Sequence, residues 1–222
     1  MGRRFPPAAR FFMGKKTMYT PKHFALDEPA QQQALMADYP FAQLITIDGD
    51  GLPHATHLPM LYRDGWLEGH MAKGNPQWQH FQEGRVVLCI FSGPHGYVSP
   101  SWYRAAPSVP TWNYVALHVQ GRTRLIKNAA DKKAMMTRLV DAMEAGFAEP
   151  WRMELPAEFE TGMLSGIVAF TIEITHMEGK AKLSQNRKPE DAKGAIAGLC
   201  ATGRPEDARL ADLMEGQLKA GE

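Results

Sequence analysis

The stretch FAQLITIDGDGLPHATHLPMLYRDGWLEGHMA, residues 41–72, decides the fold class. Residues 41–48 and 54–62 are two extended runs, one of them apolar and rich in β-branched residues, and the glycines between them suit a tight turn. A second turn at 63–65 leads into a third extended run at 66–72. Consecutive strands joined by tight turns favour an antiparallel sheet or barrel over a doubly wound parallel sheet.

More strands follow along the chain, and helices flank them. Three further runs have the apolar or alternating pattern of strands, at 85–93, 113–126 and 163–183. Helical spacing, capping residues and helix-ending glycines or prolines predict helices at 27–38, 75–84 and 128–146 and in the C-terminal tail. The chain is therefore expected to be mainly β with flanking helices, an α+β fold.

The length of 222 residues fits one large domain with appendages. We expect a folded domain over 18–199 and a helical tail over 200–222. Residues 1–17 carry five cations and no acid. They are interpreted as an N-terminal extension that is disordered, binds an acidic partner, or precedes a true start at Met18.

Charge and cysteine content narrow the function classes. The formal net charge of +1 argues against a strongly basic nucleic-acid surface, although a local patch remains compatible with it. Two cysteines cannot form a disulfide framework, and Cys89 lies in the apolar run VVLCIF, which predicts a buried thiol. A reducing, cytoplasmic compartment is expected. No apolar stretch approaches the roughly 20 residues of a membrane span.

Familiar catalytic and nucleotide-binding motifs are absent from the sequence, including a phosphate loop, a Gly-x-Gly-x-x-Gly turn and a Gly-x-Ser-x-Gly elbow. The segment HATH places His54 and His57 three residues apart. On a strand this spacing puts the two rings on opposite faces, which is a poor geometry for joint metal ligation. No metal site is expected.

Four segments are unusually polar or rigid for their surroundings: GHMAKGNPQW (69–78), YVSPSWY (97–103), VPTWNY (109–114) and EGKAKLSQNRK (178–188). The first offers a cation and free backbone N–H groups at a strand-to-helix junction, where an anion can bind. The last is a set of donors suited to phosphate or to a polar ring edge. Each segment alone is also compatible with an ordinary capped helix, a rigid loop or a solvated turn.

Trp112 and Asn113 follow a proline at the start of a long strand. The indole could pack on a planar ligand, and the amide can both donate and accept. Together the four segments suggest a phosphorylated, planar, heterocyclic ligand at the rim of an antiparallel barrel. Flavin mononucleotide (FMN) fits this description, and so does another nucleotide.

Taken as an ordered set, these segments resemble the PaiB-type family of FMN-binding negative transcriptional regulators. The resemblance begins at MYTPKHF (18–24), continues through THLPML (56–61) and FSGPHGYVSPSWY (91–103), and ends near residue 199. It becomes looser after residue 187. It implies a flavin-binding split β-barrel similar to pyridoxamine-phosphate oxidases, a homodimer, and FMN bound between the subunits.

The resemblance also implies which residues hold FMN. His70, Lys73 and Asn75 occupy the segment that resembles the phosphate-binding stretch of the superfamily. Thr56 and His57, on the preceding strand, are expected near the ring or the ribityl chain. Trp112 and Asn113 are expected near the isoalloxazine, on the same or the partner subunit. The site is completed by residues near the end of the last strand: Lys182, Ser184, Gln185 and Arg187.

Three functions remain open at this point. The first is a flavoprotein with oxidoreductase or redox-sensing activity, in which the flavin carries the redox chemistry. The second is a transcriptional repressor that binds DNA, which the family name implies and which the near-neutral charge does not favour. The third is a protein that binds haem in place of flavin, as some split-barrel relatives do.

Overall fold

The computed structural model describes residues 17–81 and 85–220, so the predicted extension at 1–17 lies almost wholly outside the described residues. Each of two compact units is assembled from separate stretches of the chain. The first unit contains residues 33–91 and 118–177, and the second contains residues 16–32, 92–117 and 178–222. The division into a domain at 18–199 and a tail stays a prediction.

Seven strands form one sheet within the described residues, in the order β2-β1-β5-β6-β7-β4-β3. The hydrogen-bonded order ends at β2 on one side and at β3 on the other, so the sheet is not closed. The pairs β1–β2, β1–β5, β3–β4 and β4–β7 are antiparallel, which confirms the predicted mainly β, antiparallel class. The strands are β1 Phe41–Ile47, β2 Pro53–Pro59, β3 Leu61–Arg63, β4 Trp66–Ala72, β5 Val86–Val98, β6 Thr111–Ile126 and β7 Ile167–Lys182.

The flanking helices begin where the sequence places proline or a capping side chain. Asn128 caps the second helix by accepting from the N–H groups of Ala130 and Asp131. None of the helices in the described ranges is long and apolar enough to cross a bilayer. The α-helices are α1 Pro29–Asp38, α2 Ala129–Glu144, α3 Ala157–Ser165, α4 Pro189–Ala201 and α5 Pro205–Ala220, and short 3-10 helices cover Lys22–Phe24, Pro76–His80 and Pro100–Trp102.

The first unit contains the two antiparallel pairs that position the segment 69–78. β1 and β2 form a hairpin with Thr56 opposite Leu44, and β4 runs beside β7 with His70 opposite Ala169. At Gly121 the neighbouring strand comes so close that a Cβ atom would lie 2.5 Å from the Glu173 carbonyl oxygen. Glycine is therefore required there by close approach rather than by an unusual φ.

The second unit is organised by the C-terminal helices. At Gly198 on α4, a Cβ atom would lie 2.1 Å from a ring atom of Trp102, so the helix and the indole pack in direct contact. The buried carboxylate of Asp191 accepts hydrogen bonds from the backbone N–H groups of Arg104 and Ala105, at 2.8 and 3.1 Å. These contacts order the loop that precedes β6.

The structure corrects the sequence predictions at several places: the run predicted at 54–62 is divided into β2 and β3, and the strand predicted within 163–183 begins only at Ile167. The strand predicted at 85–93 continues to Val98, because Gly93 and Pro94 interrupt the alternation of exposed and buried residues without ending the strand. The helix predicted at 75–84 is a 3-10 helix that ends at His80, and residues 82–84 are outside the described part. Helix α3 was not predicted, because its apolar residues Phe159 and Met163 are exposed rather than packed in a core.

Candidate functional site

The junction after β4 is held in place by three polar side chains of the first unit. The Asn75 side chain accepts from the N–H of Gln77 at 3.0 Å, which caps the 3-10 helix, and its Nδ2 donates to Thr56 Oγ1 at 2.9 Å. The Thr56 hydroxyl in turn donates to the Gln77 side chain. This network fixes the turn that carries residues 73–75, so the turn is ordered before any ligand binds.

Gln77 is the member of this network that the sequence did not single out. Its side chain is buried, with 2% of the residue exposed, and its Nε2 donates to the carbonyl oxygens of Leu44 at 3.0 Å and His54 at 3.1 Å. It ties the turn to the β1–β2 hairpin. The only sequence signal for Gln77 is its position after the capping pair Asn75–Pro76, which is common to many helix starts.

Lys73 lies on this ordered turn with an uncommitted charge. Its backbone N–H donates to the Gly166 carbonyl at 2.8 Å, and its carbonyl accepts from Trp78 Nε1 at 3.1 Å. The side chain itself is exposed, and within the described residues no carboxylate pairs with it. A cation fixed at its base by two backbone hydrogen bonds, and free at its tip, is suited to an anionic ligand.

The two predicted histidines of the first unit differ in their exposure to solvent. His70 is partly buried on β4, and its Nδ1 is a buried atom that has no hydrogen-bond partner in the described part of the chain. This burial lowers the pKa of His70, because a charged imidazole is poorly solvated there. His57 is exposed on β2 and stacks on Phe41, with ring centroids 6.0 Å apart.

Adjacent residues on a strand point to opposite faces, so His57 points away from the side on which Thr56 meets Gln77. Of the five first-unit residues predicted for the site, Thr56 and Asn75 are joined by a direct hydrogen bond. Lys73 lies on the turn that they order. Within the described residues, the hydrogen bonds of this group join Thr56, Asn75 and Gln77 and do not include His57 or His70.

In the second unit, Trp112 and Asn113 are also neighbours that point to opposite faces of their strand. Asn113 is fully buried, and its Nδ2 donates to Ser184 Oγ at 2.9 Å and contacts Met214 Sδ at 3.4 Å. Trp112 is 49% exposed and stacks on His95, with ring centroids 5.9 Å apart. The indole is therefore accessible to a ligand or partner, whereas the Asn113 amide makes its contacts with buried groups of the second unit.

The last predicted group surrounds the turn after β7. Gln185 is bonded to its own turn, since its side chain accepts from the Leu183 N–H at 2.7 Å and donates to the Ala181 carbonyl at 2.6 Å. Lys182 Nζ donates to the Trp112 carbonyl at 3.0 Å. The Arg187 guanidinium lies over the Tyr103 ring, 4.5 Å from its centroid. Gln185 therefore has a structural role here, while Arg187 keeps its donors.

Comparison with known proteins agrees with the resemblance stated from the motifs. Residues 18–176 match the family model described as "Putative FMN-binding domain". "Protease synthase and sporulation protein PAI 2" of Bacillus subtilis (strain 168) is 35% identical over 209 residues, covering 91% of this chain and 99% of that protein.

Solved structures share the fold at low sequence identity. A FAD- and heme-binding protein from Mycobacterium smegmatis has a TM-score of 0.58 at 18% identity, covering 76% of this chain and 78% of that chain. A flavocytochrome from Azotobacter vinelandii has a TM-score of 0.57 at 18% identity, covering 71% and 69%. These two likenesses concern the fold alone.

Proposed function

Since this chain belongs to the FMN-binding domain family, with FMN as the family's cofactor, we propose that its first unit binds the phosphate of FMN at the turn after β4. The observation that carries this proposal is the uncommitted Lys73 on a turn ordered by Thr56, Asn75 and Gln77. The segment lies inside the matched residues 18–176.

The donor set suits a phosphate dianion. Lys73 supplies a charge-assisted hydrogen bond, and Asn75 Nδ2 keeps one hydrogen beyond the one it gives to Thr56. Because the network already fixes the turn, binding costs little conformational entropy. The buried Nδ1 of His70 is a further polar atom on the same β4 segment that lacks a partner in the described residues.

We propose that the loaded protein acts in electron transfer, as an oxidoreductase or as a redox sensor. FMN supplies the redox chemistry when it is bound, and the chain binds and orients it. The substrate or electron donor is to be identified by assay.

We also propose that the protein is a homodimer whose contact surface includes the exposed aromatic face of the second unit. Trp112 is 49% exposed and Tyr97 43% exposed, and their ring centroids lie 6.4 Å apart. Large aromatic side chains with two stiff torsions are typical of interface hot spots. In this proposal the indole contacts the partner subunit or the isoalloxazine.

The test of FMN binding is a fluorescence titration of the purified, flavin-free protein with FMN and with riboflavin. Flavin fluorescence should change on binding, and FMN should bind more tightly than riboflavin by about tenfold or more, because only FMN carries the phosphate. Equal affinity for the two flavins would contradict the phosphate site. A preparation that retains no flavin after incubation and dialysis would contradict flavin binding itself.

DNA-binding repression stays a prediction of the family resemblance. Its test is a gel shift on the gene's own upstream region at several salt concentrations, since specific protein–DNA affinity depends steeply on salt. Haem binding and the cytoplasmic location also stay predictions. A Soret band after incubation with haemin would support the haem alternative over the flavin.

A further inference from the structure

A small cavity lies in the second unit beside the turn that joins β7 to α4. Its volume is 210 Å³, and its lining includes the polar side chains Ser184, Arg187 and Gln217 and the apolar side chains Met214 and Leu218. Pockets for drug-sized ligands usually measure about 300–1,000 Å³. The cavity is therefore suited to a compact molecule with one charged end and one apolar end, and it is small for a flavin.

Arg187 contributes to the lining of this cavity a guanidinium group that is not paired with an acid in the described residues. The side chain is half-buried, and its guanidinium is stacked on the Tyr103 ring at 4.5 Å, which orients the plane of the donors. In the described residues the guanidinium has neither a carboxylate partner nor a hydrogen-bond acceptor, although the Arg187 backbone N–H donates to the Ser184 carbonyl at 2.9 Å. An oriented, unpaired guanidinium is a receptor for a carboxylate or a phosphate.

Two lysines add positive charge around Arg187. Lys182 Nζ donates to the Trp112 carbonyl at 3.0 Å, and Lys180 Nζ donates to the Tyr19 carbonyl at 3.0 Å. Burial lowers the pKa of Lys182, and the charges of Lys180 and Arg187 lower it further. Within the described chain no acid is paired with any of these three cations, so a bound anion would relieve their mutual repulsion.

Ser184, in the same turn as Arg187, adds a polar side chain to the lining of the cavity. Ser184 is buried and has a φ of 68°, a left-handed conformation that non-glycine residues seldom adopt away from ligand sites and tight turns. Its Oγ accepts from Asn113 at 2.9 Å, which leaves the hydroxyl hydrogen to donate elsewhere. Behind it, Asn113 Oδ1 is buried without a hydrogen-bond partner in the described residues.

We propose that this cavity binds a small organic oxyanion, a carboxylate or a phosphate monoester carried on a compact apolar body, at a site separate from the FMN phosphate. Arg187 and Ser184 hold the oxyanion, and Met214 and Leu218 contact the apolar body. The family resemblance implied that Ser184 and Arg187 help to hold FMN; this proposal assigns them to a different ligand, and both residues lie beyond the matched residues 18–176. The proposal does not depend on FMN binding at Lys73.

The experiment is isothermal titration calorimetry of the FMN-saturated protein with two probes, phenyl phosphate and benzoate. At least one probe should bind with one site per chain. Arg187→Ala should weaken that binding by about tenfold or more, because it removes the charge-assisted hydrogen bonds. Arg209→Ala removes an exposed arginine of α5 that does not line the cavity, and it should bind like the wild type.

A second variant tests the cavity without changing its charge. Leu218→Trp fills the space occupied by the apolar body, so it should also abolish binding while Arg187 is intact. This variant decides the outcome if Arg187→Ala does not fold. Tighter binding of phenyl phosphate identifies a phosphate monoester as the ligand class, and tighter binding of benzoate identifies a carboxylate.

Three results would overturn the proposal: no binding of either probe up to about 10 mM, unchanged binding in both variants, or competition between phenyl phosphate and FMN. Competition would mean that Arg187 belongs to the flavin site. If the protein does not bind FMN, the probes can still be titrated into the flavin-free protein. A negative result for FMN therefore does not decide whether the cavity binds an oxyanion.

Discussion

At the turn after β4, the ammonium group of Lys73 is the only feature of the ordered junction that carries a formal positive charge. The side chains of Thr56 and Asn75 already satisfy one another, and Gln77 is committed to the backbone of the hairpin. The charge of the junction can therefore be removed without disturbing the network that shapes it. Lys73 is thus a position where binding and folding can be tested separately.

Lys73→Ala is expected to weaken FMN binding by about 1.5–3 kcal/mol through loss of a charge-assisted phosphate contact. Riboflavin binding should not change, because riboflavin lacks the phosphate. The measurement is the fluorescence titration with both flavins. Lys127→Ala removes an exposed lysine elsewhere in the first unit and serves as the matched control. A loss of riboflavin affinity equal to that of FMN would show that Lys73 acts on the fold of the site.

His70 is expected to make the stability of the flavin-free protein depend on pH. Burial lowers its pKa in the folded state, so as pH falls through about 6.5 the unfolded chain takes up a proton that the folded chain does not. Stability must then decrease as the pH falls below that value. In urea unfolding at pH 7.5 and 5.5, His70→Gln should show a smaller loss of stability than the wild type.

The control for this pH dependence is His57→Gln, which removes an exposed imidazole from β2. This variant leaves the buried His70 imidazole in place, so it should keep the pH dependence that His70 causes. If His70→Gln loses as much stability between pH 7.5 and 5.5 as the wild type does, burial of His70 is not the cause.

At the scale of the elements, β6 and β7 approach each other closely at one glycine. A Cβ atom at position 121 would lie 2.5 Å from both the Glu173 carbonyl oxygen and Ile172 Cγ2. Gly121→Ala should therefore destabilise the protein by about 1–3 kcal/mol, because backbone atoms of β7 must move. The measurement is the urea unfolding midpoint.

Gly162→Ala in α3 is the matched substitution, because an added Cβ there meets no atom within 4 Å. It should stabilise the protein by about 0.4–1 kcal/mol through the lower entropy of the unfolded chain. A neutral Gly121→Ala would mean that the two strands can separate at this point at little cost.

Helix α2 is joined to β4 by a buried carboxylate. Glu68 is 2% exposed and accepts from Arg138 Nε at 3.0 Å, from Arg138 Nη2 at 2.7 Å and from Arg63 Nη2 at 3.1 Å. Arg138→Ala should cost about 2–5 kcal/mol of unfolding free energy, because it leaves a buried charge with one partner. Arg152→Ala breaks the exposed pair with Asp141 and should cost at most about 1 kcal/mol. If the two variants lose the same unfolding free energy, burial of Glu68 does not strengthen its ion pair with Arg138.

At the scale of the whole molecule, two equally exposed tryptophans allow the proposed dimer surface to be tested, because only one of them lies on that surface. Trp112 and Trp151 are both 49% exposed, but only Trp112 lies in the aromatic face with His95 and Tyr97. Trp112→Glu should weaken the homodimer by about 30-fold or more, as expected for an interface hot spot. Sedimentation velocity over a range of protein concentrations measures this change.

Trp151→Glu introduces the same charge at an equally exposed indole of the first unit and should leave the dimer intact. A wild-type protein that sediments as a monomer at all concentrations would contradict the homodimer. A dimer that survives Trp112→Glu would place the contact on another surface.

The order of the elements could be predicted from the sequence because it depends on local pattern. The β1–β2 hairpin follows from two extended runs around a glycine turn, and the position of the 3-10 helix follows from the Asn75–Pro76 pair. Elements whose apolar residues do not follow a helical or strand spacing along the sequence were not predicted. The extension of β5 to Val98 was hidden by Gly93 and Pro94, and α3 carries its apolar residues on an exposed face.

By itself, the sequence determined the antiparallel class, which depends on turn residues and alternation, and its long ordered motifs identified the family, whose resemblance implied the cofactor FMN. Only the tertiary structure decided the roles of individual polar residues. Asn113 and Gln185 are polar residues in the predicted site segments, but their amides are used inside the second unit, whereas Lys73 and Arg187 keep free donors. The physical reason is that a side chain's availability depends on which partners the fold brings to it, and those partners are distant in sequence, as Asn113 and Ser184 are.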